Sequence, residues 1–322
     1  MVRESELVPR TPLPRRRLLA IAFPLLLGLF IALGTLGTYR YLRNYWIYRG
    51  FPPPRDPAFV TVRGTSERFY VTSRALGGRR QRVMVFLPPG YADNPQRRYP
   101  VLYLLHGFPG VPDSYLTAIK AGVDEDILVA KHRMQPVILV MPFGSTGTFT
   151  DKEWANGVRP TDAWETFVAH DVVRAVDARY RTIPTGAGRA IAGLSEGGYG
   201  ALNIGVHHPR LFHVLESWSG YEVADRITSV FDHDQRLLEY NSPLLQLHRA
   251  APLLRGKAYV WFYTGTGDGP RILGQNASFA RELARDRIAH RFFVIHGGHN
   301  WGIWRRYAPA ALQVAAAHLA HG

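Results

Sequence analysis

Residues 190–200 read AIAGLSEGGYG. Small and apolar residues lead into Gly193-Leu194-Ser195-Glu196-Gly197, and a small-residue run follows. The order predicts a short buried strand, a tight turn and a helix starting at once, which is the G-x-S-x-G nucleophile elbow. Gly193 and Gly197 are expected where backbone segments come too close for a Cβ, with Ser195 at the strained apex above the C-terminal edge of a sheet. Glycine and serine are also ordinary turn residues, so the meaning of the pentapeptide depends on its setting.

Outward from the elbow, apolar runs and helical patterns alternate. Upstream, VLYLLHG (101–107) is continuously apolar, as a strand covered on both faces should be. A helix over Ser114 to His132 precedes strand PVILVMP, and a helix over Ala163 to Tyr180 precedes RAIAG. Downstream come strand HVLESWSG, a mixed region from about 222 to 256, and strand AYVWFYTG. A helix Arg271 to Asp286, strand RFFVIHG and a helix Trp301 to Leu319 complete the series. Before it, AFVTVRG (58–64), ERFYVTS and QRVMVFLPPGY alternate and break at Gly or Pro, which predicts antiparallel opening strands. Such alternation predicts an α/β architecture: a mostly parallel central sheet with helices on both faces.

Length and composition fit one large domain with an extension. The chain has 322 residues, 46% of them hydrophobic and 20% charged. Cysteine is absent, which removes disulfides, zinc–cysteine sites and a thiol nucleophile. The net charge is +14, and residues 1–55 hold nine arginines against Glu4 and Glu6. Half the excess therefore flanks an N-terminal apolar segment, where it bears on membrane topology. The rest is scattered, without a basic stripe interleaved with aromatics, so nucleic acid is not an expected partner.

Leu18 to Tyr39 is uncharged for 22 residues after Arg15-Arg16-Arg17. As a helix it would reach about 33 Å, enough for a hydrocarbon core of about 30 Å. We expect a cytoplasmic segment 1–17, a transmembrane signal-anchor helix 18–39, a linker 40–57 and a catalytic domain 58–322 outside the cytoplasm. Cleavage near Ala32-Leu33-Gly34, giving a secreted protein, is the alternative. Tyr39, Tyr41, Tyr45, Trp46 and Tyr48 suit the outer membrane interface.

A serine hydroxyl needs a base to take its proton. His299, in HGGHNWGIW after the last apolar strand, is expected over the same sheet edge as Ser195. His296 is its competitor, and a metal reading of that pair lacks a third ligand. The base needs a carboxylate partner. Asp268, in the glycine-rich loop YTGTGDG, completes the chain order Ser, Asp, His. Asp286 and Glu222 are substitutes for it. Oxyanion donors are expected from the backbone N–H groups of Glu196 and Phe108, with the Glu196 side chain turned away. Trp154 and Trp301 are pocket candidates with packing the commoner role. Asp124, Glu125 and Asp126 read as a solvated helix face, and His207-His208 as surface residues.

Three blocks, QRVMVFLPPGYADNPQRRYPVLYLLHGFPG, RAIAGLSEGGYGALNIGVHHPRLFHVLESWSG and GGHNWGIW, resemble the esterase family of α/β-hydrolases. That family includes esterase D, feruloyl esterases, enterochelin esterases and the antigen 85 mycolyltransferases. The resemblance covers about residues 60–318. It implies the α/β-hydrolase fold, with Ser195 as nucleophile, His299 as base, Asp268 as acid, and Phe108 and Glu196 as oxyanion donors. Glu196 departs from the pattern, where Met or Gln is more usual, and so does the membrane anchor.

The reading is a serine carboxylesterase working through an acyl-enzyme, with no metal or organic cofactor implied. An ester of a cell-envelope lipid or glycolipid is the partner that basicity and the anchor suggest. An acyltransferase to an envelope sugar and a non-catalytic binding module on the same fold are the alternatives.

Overall fold

The computed structural model describes residues 15–147 and 149–322. The expected cytoplasmic segment 1–17 lies outside the described residues up to position 14. The chain divides between Pro52 and Pro53 into two units.

The first unit is one helix, Arg15–Tyr48, of 34 residues. Its stretch Leu19–Tyr48 is long and apolar enough to cross a membrane. Leucine, isoleucine and phenylalanine from Leu19 to Leu36 are exposed on all sides, not along one stripe. The helix runs nine residues past Tyr39, into the segment expected to be linker. Nothing in 40–48 breaks a helix; it stops where Arg49 and Gly50 take left-handed φ values of 54° and 83°.

The second unit is built on an eight-stranded sheet in the order β1-β2-β4-β3-β5-β6-β7-β8. The strands are β1 Thr65–Ser73, β2 Arg79–Leu87, β3 Val101–Leu105, β4 Ile138–Pro142, β5 Arg189–Leu194, β6 Val214–Trp218, β7 Tyr259–Gly265 and β8 Ala289–Ile295. β1 with β2 and β2 with β4 are antiparallel, and every later pairing is parallel. β3, β4, β5 and β6 are buried at every residue, which explains their largely apolar runs, broken only by Arg189, Glu216 and Ser217.

The strands feed two cores. In β3, Val101, Tyr103 and Leu105 enter one, with Trp164, Phe167, Leu202 and Phe279 from helices on that face. Leu102 and Leu104 enter the other, with Leu128 and with Trp304, Ala308 and Leu312 of the last helix, Trp301–His318. A third, smaller cluster joins Tyr199, Tyr221, Phe231 and Leu238.

Three expectations are corrected. AFVTVRG forms no strand; Val60 N–H closes a turn on Pro57 O at 3.0 Å, and β1 starts at Thr65. The expected helix from Ser114 to His132 is two helices, Ser114–Thr117 and Ala121–Ala130, with Lys120 at φ 64° between them. Asp124, Glu125 and Asp126 are buried, not solvated. Each finds a partner there: Lys120 Nζ on Asp124 at 2.7 Å, Val137 N–H on Glu125 at 2.8 Å and Gly64 N–H on Asp126 at 2.8 Å. The irregular chain before β1 brings Gly64 to Asp126 and the chain entering β4 brings Val137 to Glu125, so these two carboxyls act as acceptors for backbone groups from outside the helix.

Candidate active site

β5 ends at Leu194, and the helix Glu196–His207 begins two residues later. Ser195, between them, holds φ 56° and ψ −124°. Such a conformation in a non-glycine residue costs about 1–3 kcal/mol. Burial of Ile191 and Leu194 on the strand side, at about 1.5–3 kcal/mol each, offsets it. Ser195 N–H is tied to Trp218 O of β6 at 3.0 Å, and Ser195 O accepts Gly198 N–H at 2.9 Å. A Cβ on Gly193 would lie 2.1 Å from Gly197 O, and one on Gly197 only 1.9 Å from Leu105 O. The turn therefore requires glycine at both positions.

His299 follows β8 and precedes the helix Trp301–His318. Asn300 caps that helix, its Oδ1 accepting Ile303 N–H at 3.1 Å, so His299 sits between a strand end and a fixed helix start. Its Nε2 lies 2.7 Å from Ser195 Oγ and its Nδ1 3.2 Å from Asp268 Oδ1. The ring edge also packs on Trp304, centroids 4.8 Å apart. With Nδ1 donating to the carboxylate, the Nε2 lone pair faces the serine hydroxyl.

Asp268 leaves the end of β7 with its side chain fully buried. Its second oxygen accepts Gly265 N–H at 2.7 Å and Thr264 Oγ1 at 3.0 Å. Burial raises its pKa, but hydrogen bonds led by His299 and the Gly265 N–H outweigh it and hold the carboxyl below its ordinary range. His296 is exposed just past β8. Glu222 is buried against Asn276 Nδ2 at 3.0 Å, and Asp286 ends the helix Pro270–Arg285. The carboxylate bonded to His299 is that of Asp268.

The loop after β3 lies against the elbow: a Cβ on Gly107 would stand 3.0 Å from Ser195 Cβ. Phe108, next in the chain, is 42% exposed. The backbone N–H groups of Phe108 and Glu196 have no acceptor in the protein among the described residues outside helices and strands, and Glu196 N–H lies in a first helical turn, where no intrahelical partner exists. His106 anchors this loop. It is buried, its Nε2 accepts Gly144 N–H at 3.2 Å and its Nδ1 faces Gly107 O at 3.0 Å. Burial lowers its pKa to about 4, so it stays neutral.

Trp154 is fully buried and donates its indole N–H to His106 O at 2.9 Å. It is a packing residue under the loop, not a pocket wall. Trp301 is half-buried, edge-on to Trp304. The His207-His208 pair is also drawn inward: Glu165 accepts from His207 Nδ1 at 2.9 Å and His208 Nε2 at 3.0 Å. Glu153 is the residue sequence reasoning missed. It is 1% exposed and lies beside Glu196; the only signal for it is its place in a long connection at the C-terminal edge of the sheet.

The strand order, the crossover from an antiparallel start to a parallel sheet, and a serine elbow facing histidine and aspartate define an α/β-hydrolase. The sequence matches the family described as "Putative esterase" over residues 73–313, and the chain belongs to that family. An esterase of Mycobacterium tuberculosis is 28% identical over 271 residues, covering 73% of this chain and 58% of the relative. The match thus spans little more than half of that relative's length. An endo-1,4-beta-xylanase/feruloyl esterase of Xylanibacter ruminicola is 34% identical over 185 residues, 55% of this chain and 25% of the relative. Among solved structures, a ferulic acid esterase superposes with a TM-score of 0.70 at 23% identity, covering 80% of this chain and all of that one.

Proposed function

We propose that this chain is a serine carboxylesterase that cleaves a carboxylic ester through an acyl-enzyme outside the cytoplasm. The observation that carries the reading is the 2.7 Å approach of His299 Nε2 to Ser195 Oγ, with Asp268 on the far side of the ring. In this reading Ser195 Oγ attacks the ester carbonyl while Nε2 takes its proton. The tetrahedral oxyanion accepts hydrogen bonds from the N–H groups of Phe108 and Glu196. Collapse breaks the bond to the alkoxy oxygen, which leaves as an alcohol with the proton from His299. Water, deprotonated by the same nitrogen, then attacks the acyl carbonyl; the acid departs and Ser195 regains its proton.

The domain from about residue 58 to 322 is assigned this chemistry. The helix starting at Arg15 is read as a signal anchor whose apolar part, 18–39, lies in the membrane, with the arginines on its N-terminal side kept in the cytoplasm. Relatives named for feruloyl esters favour an ester with an aromatic acyl group, and the anchor favours one at the cell envelope.

The test is fluorophosphonate labelling and hydrolysis of p-nitrophenyl and feruloyl esters by the full chain. Labelling at Ser195, lost in Ser195→Ala together with hydrolysis, supports the reading. Labelling equal in both, or absent from both, replaces it with a binding module. Ester product in place of acid, when sugar acceptors are added, makes the enzyme an acyltransferase.

A further inference from the structure

A carboxyl occupies the position immediately after Ser195, where negative charge is least welcome during acyl transfer. The Glu196 side chain is only 5% exposed, and its carboxyl lies beside the backbone N–H of Glu153, which donates to Asp151 Oδ1 at 3.0 Å. Glu153 is itself 1% exposed and carries a carboxyl into the same space. The Tyr221 hydroxyl lies 2.8 Å from one Glu153 oxygen and 2.7 Å from the other. A hydroxyl has one proton to give. That one proton serves both oxygens, and no cation among the described residues is hydrogen-bonded or ion-paired to this carboxyl.

The backbone at this corner is unusual. Glu153 and Trp154 are consecutive non-glycine residues with φ of 54° and 49°, a conformation that persists only where its surroundings impose it. Its effect is to touch both carriers of the oxyanion donors. Glu153 meets the Glu196 carboxyl, and the Trp154 indole holds His106 O, two residues before Phe108. Trp154 also fills the space against Gly144 and Gly200, where a Cβ would come within 2.3 Å and 2.6 Å of it.

We propose that the Glu153–Trp154 corner is a positioning element for the oxyanion hole, and that it works only while Glu196 and Glu153 are carboxylic acids. This rests on the serine-esterase reading above. The other groups facing the pair are Asp151 and Lys152 on the same connection, Tyr199 on the elbow helix, Tyr221 after β6, and Asp225 with its ion partner Arg271 at 2.8 Å. Arg271 is already committed to Asp225, and Lys152 to Asp162 at 3.0 Å. Neutralisation therefore falls to protons. Burial, with Asp151 adding repulsion, holds both glutamic acids well above their ordinary range. Ionisation at alkaline pH places a negative charge within a turn of the helix end that must meet the oxyanion. At protein-like dielectric this slows acylation on the order of 10- to 100-fold.

The experiment is the pH profile of kcat and KM on p-nitrophenyl acetate for the full chain, with fluorophosphonate labelling of Ser195 at the plateau. The wild type is expected to lose about 10- to 100-fold in kcat on the alkaline side, with KM little changed. Glu196→Gln carries the plateau at least about one pH unit further, while Glu196→Asp keeps the alkaline fall. Trp154→Phe, which keeps a ring but loses the indole donor, lowers kcat about tenfold at plateau pH, within the range for disturbed oxyanion stabilisation. Infrared difference titration supplies a second readout: a protonated-carboxyl band at neutral pH, lost on alkaline titration, that is present in the wild type and missing from Glu196→Gln, which sets it apart from the bands of Asp124, Asp126 and the other buried carboxyls. Absence of that band, or an alkaline fall identical in wild type and Glu196→Gln, overturns the inference while Ser195 labelling leaves the esterase reading standing. Loss of labelling in the wild type overturns both.

Discussion

His299 Nε2 and Ser195 Oγ stand 2.7 Å apart although 104 positions separate them in the chain. Nothing local brings them together; each hangs from the C-terminal end of a different parallel strand. Groups that act as one unit are strongly non-additive when removed. Ser195→Ala and His299→Ala are each expected to lower kcat by roughly 10⁴- to 10⁶-fold, and the double variant to lose little more than either alone. Steady-state kinetics on one p-nitrophenyl ester checks this. Multiplying losses would mean that the two side chains do not share a step.

Asp268→Asn tests the orientation of the imidazole. The Gly265 N–H and Thr264 hydroxyl at Oδ2 require an acceptor there. The amide oxygen must take that side, which turns the NH₂ toward His299 Nδ1. The ring is then driven to carry its proton on Nε2 and cannot receive one from Ser195. A loss of about 10³- to 10⁴-fold in kcat with KM nearly unchanged is the expected outcome. A loss below tenfold would show that the carboxylate does not set the tautomer.

Gly197→Ala tests the elbow as a folding element. The new Cβ would lie 1.9 Å from the Leu105 carbonyl oxygen, a backbone atom in a fully buried strand that has nowhere to move. Destabilisation at or above the top of the ~1–3 kcal/mol range for overpacking is expected. Gly274→Ala, on the helix Pro270–Arg285 with nothing within 4 Å of the new atom, is the control and should gain up to about 1 kcal/mol. Urea titration of both variants reads the difference directly.

Buried carboxyls make stability fall toward alkaline pH. Burial raises Asp124 to about 6, and burial with Asp56 beside it raises Asp126 to about 7. A carboxyl raised on folding gives stability that is complete below its unfolded pKa and is lost as pH rises through the folded value. Glu165 works in the opposite direction. Burial raises its pKa, but bonds from His207 and His208 prevail and bring it to about 2, so its contribution is lost only as pH falls toward that value. Thermal midpoints are therefore expected to be higher at pH 5 than at pH 8, and Asp126→Asn should flatten the decline. A midpoint that rises from pH 5 to pH 8 would contradict this account.

The parallel sheet was legible because strands covered on both faces are mostly apolar; β3 and β4 are so throughout, and β5 and β6 apart from Arg189, Glu216 and Ser217. The loops holding residues 195 and 268 were legible for the same reason, and that of residue 299 because it follows the last apolar run, although β8 itself is half open to solvent. Segment 58–64 was misread because its apolar residues suggested one pleated face, whereas only Val60 is buried and Phe59 and Val62 stay exposed. The acidic run 124–126 was misread because charge predicts solvent unless a backbone donor is brought to it from far along the chain. Here Gly64 and Val137 supply those donors. Glu153 was invisible for a related reason: a left-handed corner between two bulky residues has no composition signal, and only the surrounding fold imposes it.

The placement of His299 hangs on one ladder. β8 is the last strand of the sheet and pairs only with β7, ending in the register Gly265↔Ile295. Most of its residues are open to solvent or half-covered. A slip of two residues there would carry the imidazole about 6–7 Å along the strand, out of reach of the hydroxyl, while disturbing the two cores only where Phe292, Phe293 and Ile295 touch them. Loss of enzymatic competence on heating should therefore run ahead of loss of secondary structure. The weak margin of this molecule is its selvedge, not its middle.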